Sequence, residues 1–145
     1  MEWPQAETHM PLPCTRNRIL LVDDEDSIRR LFRVILSTGL PGCNVDLASN
    51  GMEALQSFSQ DHHSLVLMDL HMPVMDGQVA FNEITKLCVT RDWEVPSIVF
   101  CTGFAPPDSV IDVVQSNRSH GLLLKPVSTD VLIETVRNRL RRNAA

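Results

Sequence analysis

No stretch of this sequence approaches the roughly 20 consecutive apolar residues that a membrane-spanning helix requires, so no membrane association is expected. The opening residues, MEWPQAETHMPLPC, lack both a basic segment and an apolar segment, and so do not read as a secretory leader. Basic residues are outnumbered, with Lys+Arg 13 against Asp+Glu 18 and a net charge of −5. That balance argues against direct nucleic-acid binding. No Cys-x-x-Cys pair occurs. Cys14, Cys43, Cys88 and Cys101 are scattered, and Cys101 lies inside an apolar run. Reduced structural thiols are the expected state, which suits a cytoplasmic protein. A glycine-rich phosphate-cradling loop is missing too, and no internal repeat is found.

What is present is a regular alternation of two patterns. The 145 residues suit one domain. Residues 1–17 are rich in proline and polar residues and read as a flexible tail, leaving 18–142 as the folded domain. Arg18–Val22 is apolar and strand-like, and it ends on Asp23-Asp24-Glu25-Asp26. Ile28, Leu31, Phe32, Ile35 and Leu36 then follow helical spacing, with Asp26 or Ser27 as the cap and Gly39 as the end. Val45–Ala48 alternates as a short strand, Asn50-Gly51 turns the chain, and Glu53–Ser59 reads as a helix. Leu65–Met68 is a buried strand ending on Asp69. Met72-Pro73 stops it, and Asp76-Gly77 provide a cap and a tight turn before a helix that runs to about Cys88. Thr90–Val95 reads as a polar loop anchored by Trp93. Ser97–Cys101 is a third apolar run, followed by Thr102-Gly103, and Pro106-Pro107 open another helix. Gly121–Leu124 ends on Lys125-Pro126. Ser128 or Thr129 caps a final helix whose last turn carries Arg137, Arg139, Arg141 and Arg142, opposite in sign to the helix dipole there. Five strands alternating with five helices imply βαβ units: an α/β fold with a parallel sheet covered on both faces.

Parallel strands present their carboxyl ends on one edge, so Asp23, Asp24, Asp69, Thr102 and Lys125 can converge there. Clustered carboxylates repel and call for a cation, and hard oxygen donors suit Mg²⁺. Acids, a hard metal ion, a lysine and a hydroxyl are the parts that stabilise a transferring phosphoryl group. Without a glycine-rich loop, the donor is not expected to be ATP bound to this chain. His62-His63 and the side chain of His71 are expected at the solvated surface, and Met68, Met72 and Met75 in packing.

In the segments LLVDDED, ASNGMEAL, LVLMDLHMPVMDG, CTG and LLLKP, in this order and spacing, the chain resembles the receiver domains of two-component response regulators. The likeness runs from about Arg18 to Arg142. It implies a five-stranded doubly wound, flavodoxin-like sheet in the order 2-1-3-4-5. Asp69 would accept the phosphoryl group, and Asp24 would ligate Mg²⁺ directly, with Asp23 acting mainly through water. The carbonyl of His71 would complete the metal shell, with Asp69 itself a ligand. Thr102 would bond a phosphoryl oxygen, and Lys125 would pair with Asp69 and then with the phosphoryl group. The Lys125–Pro126 bond would be cis. A sensor histidine kinase or His-containing phosphotransfer protein would be the donor, a protein the downstream partner, and a homodimer is compatible. The chain would be a phosphoacceptor rather than an enzyme, with at most slow self-dephosphorylation.

Two positions depart from the family pattern. Leu122 stands where an aromatic switch residue is usual, and Val127 where an aromatic often follows the Lys-Pro pair. Leu122, apolar, is expected to stay buried. An interaction module with vestigial phosphorylation and a Mg²⁺-dependent phosphatase of the haloacid-dehalogenase type are the alternatives. No output domain is read after the last helix, so the chain either acts by binding a partner or is one piece of a longer protein.

Overall fold

The computed structural model describes residues 10–143. The chain alternates strand and helix throughout: β1 (Thr15–Val22), α1 (Asp26–Gly39), β2 (Asn44–Ala48), α2 (Gly51–Asp61), β3 (His63–Asp69), α3 (Gly77–Arg91), β4 (Ser97–Thr102), α4 (Asp108–Ser116), β5 (Gly121–Leu124) and α5 (Thr129–Asn143). All strands are parallel, in the order β2-β1-β3-β4-β5. The expected flavodoxin-like sheet is therefore the one found.

Side chains alternate between the faces of a strand, and the two cores follow from that alternation. Leu20, Val22, Val66, Met68, Ile98 and Phe100 face one side, packed by Ala54 and Phe58 of α2, Ala80, Ile84 and Cys88 of α3, and Val110 of α4. Ile19, Leu21, Leu65, Leu67, Val99 and Cys101 face the other, packed by Phe32 and Leu36 of α1 and Leu132, Val136 and Leu140 of α5. A fully buried residue of this size contributes about 1.5–3 kcal/mol, so β1, β3 and β4 carry much of the stability. Register pairs Val22 with both Ala48 and Met68, Asp69 with Cys101, and Thr102 with Leu124. The carboxyl ends of the strands thus lie level.

Several element ends differ from the sequence expectation. β1 begins at Thr15 because Thr15 pairs with His63 and donates its N–H to the His62 carbonyl at 2.7 Å. Upstream, Leu12 bridges Trp93, donating to Asp92 O at 2.9 Å and accepting from Glu94 N at 2.8 Å. Residues 10–17 are therefore held against the body, while the first nine of the expected tail lie outside the described residues. α3 runs on through Thr90 to Arg91 and closes with Asp92 in the left-handed region, φ 56°. The expected polar loop is accordingly shorter. α1 is preceded by Glu25 with no side-chain cap, not by Asp26 or Ser27. The Glu25 N–H instead donates to Asp23 Oδ1 at 2.9 Å, which draws the strand end into the first turn. Asn50 caps α2, accepting from Glu53 N at 2.9 Å, while Glu53 reaches back to Ser49 N at 3.1 Å. The Asn50 side chain thus satisfies one end donor of the helix, and the Glu53 carboxylate holds the residue before the cap, so the helix starts at Gly51. Ser128, not Thr129, caps α5.

The surface expectation for His62-His63 is overturned. His63 is fully buried, with Nε2 2.7 Å from Asp46 Oδ2, and His62 stacks on Trp93 with ring centroids 4.1 Å apart. Sequence adjacency said nothing of this, because His63 is the first residue of a central strand. His120 is buried too, and its Nδ1 accepts from Ile98 N at 3.0 Å. An acceptor nitrogen carries no proton, so this ring must be neutral.

Burial pushes the pKa of His63 and of His120 below the ordinary imidazole value, with Arg139 adding to the effect at His120. Groups buried neutral leave stability intact above about pH 6.5 and weaken it as pH falls from there toward their depressed folded values. A loss of stability is expected as pH falls below about 6.5, read by denaturant titration at each pH. His120→Gln should flatten part of that slope. A slope unchanged in this variant would assign the loss to other groups.

Candidate phosphoryl-acceptor site

The level strand ends bring Asp23, Asp69, Thr102 and Lys125 together from β1, β3, β4 and the turn after β5. Asp23, Asp69 and Thr102 are buried, and Asp24 is exposed. One carboxylate oxygen each of Asp23, Asp24 and Asp69 lies within 4.8 Å of the others. Lys125 Nζ donates to Asp23 Oδ2 at 2.8 Å and stands 3.5 Å from Asp69 Oδ2. The resting ammonium thus sits nearer to Asp23 than to the Asp69 partner that the resemblance implies. The peptide bond after it, Lys125–Pro126, is cis as expected.

Each group is aimed by backbone. Asp23 Oδ1 accepts from Glu25 N and its Oδ2 from Lys125, so both oxygens are engaged. Asp69 Oδ1 accepts from His71 N at 3.3 Å. Thr102 Oγ1 accepts from Phe104 N at 3.1 Å, which holds the hydroxyl at the mouth of the site. Lys125 N donates to Thr102 O at 2.8 Å and Leu70 N to Cys101 O at 3.0 Å, lacing the loops to the sheet edge.

Burial raises the pKa of Asp69; Lys125 works against this, while Asp23 and Asp24 add to it. Burial opposes the charge on Lys125, but the bond to Asp23 and the fields of Asp23 and Asp69 outweigh it and hold the ammonium more firmly than usual. Three crowded carboxylates beside a single lysine leave uncompensated negative charge. A hard divalent cation with oxygen preference fits this donor set.

The loop after β3 closes the site and carries strain. Val74 has φ 69°, and Met75 N donates to Pro73 O at 2.7 Å across it, a three-residue turn. A β-branched residue rarely enters this region. Val74 is 80% exposed, so packing does not repay the cost locally. Met75 O in turn accepts from Gly51 N at 3.0 Å and ties the loop to α2. Val74→Gly is expected to stabilise the fold by about 1 kcal/mol, the relief of strain less the extra freedom of the unfolded chain. Denaturant midpoints of the two proteins check this, and a lower midpoint for the variant would show that the turn is relaxed.

The sequence did not foresee the rings that flank the mouth. His71 and Phe104 meet edge to face at 5.3 Å, and Phe104 is 71% exposed. Each lies two residues beyond a strand end, and no periodic signal pairs them. Leu122, expected buried, is half-buried beside the α2–α4 core, and Val127 packs against the α1–α5 core. β5 is an edge strand, and an edge strand is covered less completely than β3 or β4.

A parallel doubly wound sheet with an acidic pocket and a lysine at its carboxyl edge defines the class, and comparison identifies it further. Residues 19–137 match the response regulator receiver domain family, and the chain belongs to that family. The regulatory protein AtoC of Escherichia coli K12 is 32% identical over 125 residues, covering 86% of this chain and 25% of AtoC. The chemotaxis protein CheY of Bacillus subtilis is 29% identical, covering 86% of this chain and 98% of CheY. A receiver domain from Clostridium thermocellum superposes with a TM-score of 0.72 at 25% identity, covering 88% of this chain and 96% of that one. The chain spans half or less of AtoC and of a probable transcriptional regulator, ycf27, of Porphyridium aerugineum, and nearly all of CheY. Receiver domains are signalling domains that generally bind Mg²⁺ at an acidic pocket and interact with histidine kinases or phosphotransfer proteins. Among the described residues, no helix is long and apolar enough to cross a membrane.

Proposed function

We propose that this chain is a phospho-accepting switch in which Asp69 receives a phosphoryl group from a histidine kinase or a His-containing phosphotransfer protein. The observation that carries the reading is Lys125 Nζ, which bridges toward Asp23 at 2.8 Å and Asp69 at 3.5 Å at the one sheet edge that also holds Thr102. A carboxylate oxygen of Asp69 attacks phosphorus, the P–N bond to the donor imidazole breaks, and the imidazole leaves with its electron pair. Lys125 is placed to follow the new negative charge with a short swing, since its second partner is already Asp69. Thr102 Oγ1 would donate to a phosphoryl oxygen, a role supported by its position at the same sheet edge.

Asp24, exposed, and Asp69 would be the direct carboxylate ligands for Mg²⁺, and the carbonyl of His71 would complete the protein's share. Asp23 has both oxygens engaged, which supports an action through water. Mg²⁺, when bound, neutralises charge developing on the phosphoryl oxygens. The output is a protein–protein contact rather than direct nucleic-acid binding.

Incubation with acetyl phosphate and Mg²⁺ tests the reading. One acid-labile phosphoryl group per chain is expected; no label would leave an interaction module, and many turnovers a phosphatase.

Mg²⁺ binds only the folded pocket, so it should raise the melting temperature. At about 100 times its Kd the gain is about 2.7 kcal/mol, or several degrees. Asp24→Ala should remove that shift and, by easing repulsion, leave the metal-free protein no less stable. An equal Mg²⁺ shift in wild type and Asp24→Ala would remove Asp24 from the metal shell.

A further inference from the structure

We propose that Cys14 and Cys88 form an intramolecular disulfide that fastens residues 10–14 to the end of α3 under oxidising conditions. All four cysteines are free thiols in the structure, but two of them converge. The sulfurs of Cys14 and Cys88, distant in sequence, approach the same carbonyl oxygen, that of Glu94, at 3.4 and 3.8 Å. Three backbone bonds set this meeting. Leu12 is bridged to Asp92 and Glu94, which places Cys14 beside the turn. Trp93 N donates to Cys88 O at 2.8 Å, which folds that turn back over the last part of α3. Cys14 is half-buried and Cys88 is buried, so an external reagent reaches Cys14 first. Cys43, just before β2, and Cys101, inside β4, have no such convergence on Glu94.

The chemistry needs a small disulfide as oxidant, such as oxidised glutathione. The Cys14 thiolate attacks one of its sulfurs, giving a mixed disulfide and releasing one glutathione thiolate. Cys88 then attacks the Cys14 sulfur, forming the Cys14–Cys88 bond and releasing the second. Two protein thiols lose two electrons, the oxidant gains them, and the two protons end on the two released thiols.

Burial pushes the Cys14 thiol up to about 12, with Glu94 and Cys88 adding to the effect, and burial pushes Cys88 up to about 11. Reaction is therefore slow at neutral pH and faster as pH rises. For the same reason the finished bond has poor leaving groups and resists reduction. The bond would lie at the amino-terminal edge of the sheet, opposite the acidic pocket, so phosphoryl labelling should be unaffected.

The test uses the full chain, folded, in a series of oxidised to reduced glutathione ratios, followed by trypsin without reductant. Each cysteine falls in its own tryptic peptide: Met1–Arg16 for Cys14, Val34–Lys86 for Cys43, Leu87–Arg91 for Cys88 and Asp92–Arg118 for Cys101. The expected product is Met1–Arg16 joined to Leu87–Arg91, reversed by dithiothreitol. Oxidation should also raise the melting temperature by about 5 °C, a gain missing in Cys14→Ser. Cys88→Ala should instead stop at a glutathione adduct on Cys14. A wild-type protein that stops at this adduct, or that joins Cys14 to the Cys43 or Cys101 peptide, would overturn the proposal. So would a joined pair that appears only in urea.

Discussion

Asp69→Asn is expected to abolish labelling by acetyl phosphate in the presence of Mg²⁺, with the folded state preserved. The amide matches the carboxylate in size and can still accept from His71 N, so the loop keeps its anchor. What it loses is the anionic oxygen that attacks phosphorus. It also removes one of three crowded charges. Because burial and the neighbouring acids already raise the pKa of Asp69, the variant should be at least as stable as wild type at neutral pH. A carboxyl whose folded pKa is raised loses stability as pH climbs from its unfolded to its folded pKa, and the fold stays weakened by that amount above it. The paired readout is therefore no acid-labile, hydroxylamine-sensitive label and an unchanged or higher melting temperature. Retained label would move the acceptor elsewhere, with Asp24 the first residue to examine. A lower melting temperature would mean that the Asp69 charge contributes to the fold through Lys125, which stands 3.5 Å away.

Gly77→Ala is expected to be the most damaging small substitution near the site. Gly77 opens α3, and its N–H donates to Leu70 O at 3.1 Å. A methyl group there would collide with the backbone carbonyl of Asp69 and crowd the Leu70 Cα at 3.1 Å. Neither is the free end of a flexible side chain, so the helix start or the strand end would have to shift. An overpacked site of this kind costs about 3 kcal/mol. Any relief would tilt the Asp69 carboxylate, so labelling should slow even where the protein stays folded. Urea unfolding and acetyl phosphate labelling of the same preparation check both effects. A variant within about 0.5 kcal/mol of wild type, the range of an ordinary surface change, would show that the α3 start yields without cost.

Gly77 also marks where sequence reading stops. The Asp-Gly pair reads as a turn that exploits glycine's conformational freedom, yet no glycine among the described residues has positive φ. The residue is small because α3 begins against the backbone of β3. The left-handed position in this loop belongs instead to Val74, a residue whose type gives no hint of it.

The alternation of apolar runs with helical periodicity determined the sheet, the helix order and the single edge at which Asp23, Asp24, Asp69, Thr102 and Lys125 meet. These features follow from chain-local rules: pleat alternation, the 3.6-residue turn and the common direction of parallel strands. The ordered motifs added the family and, through the resemblance, the strand order 2-1-3-4-5, which alternation alone does not give. Tertiary structure alone decided the rest, since each remaining feature is a meeting of residues distant in sequence. Lys125 rests nearer to Asp23 than to Asp69 because the turn after β5 delivers the ammonium between two strand ends. His63 is buried because β3 starts earlier than its apolar run, beside Asp46, and His62 because the end of α2 turns its ring onto Trp93. Cys14 and Cys88 share the Glu94 carbonyl because a backbone bridge at Leu12 folds an otherwise featureless segment onto the turn after α3. Periodicity reports which face a residue takes within its own element, and it carries no term for the partner that another element brings.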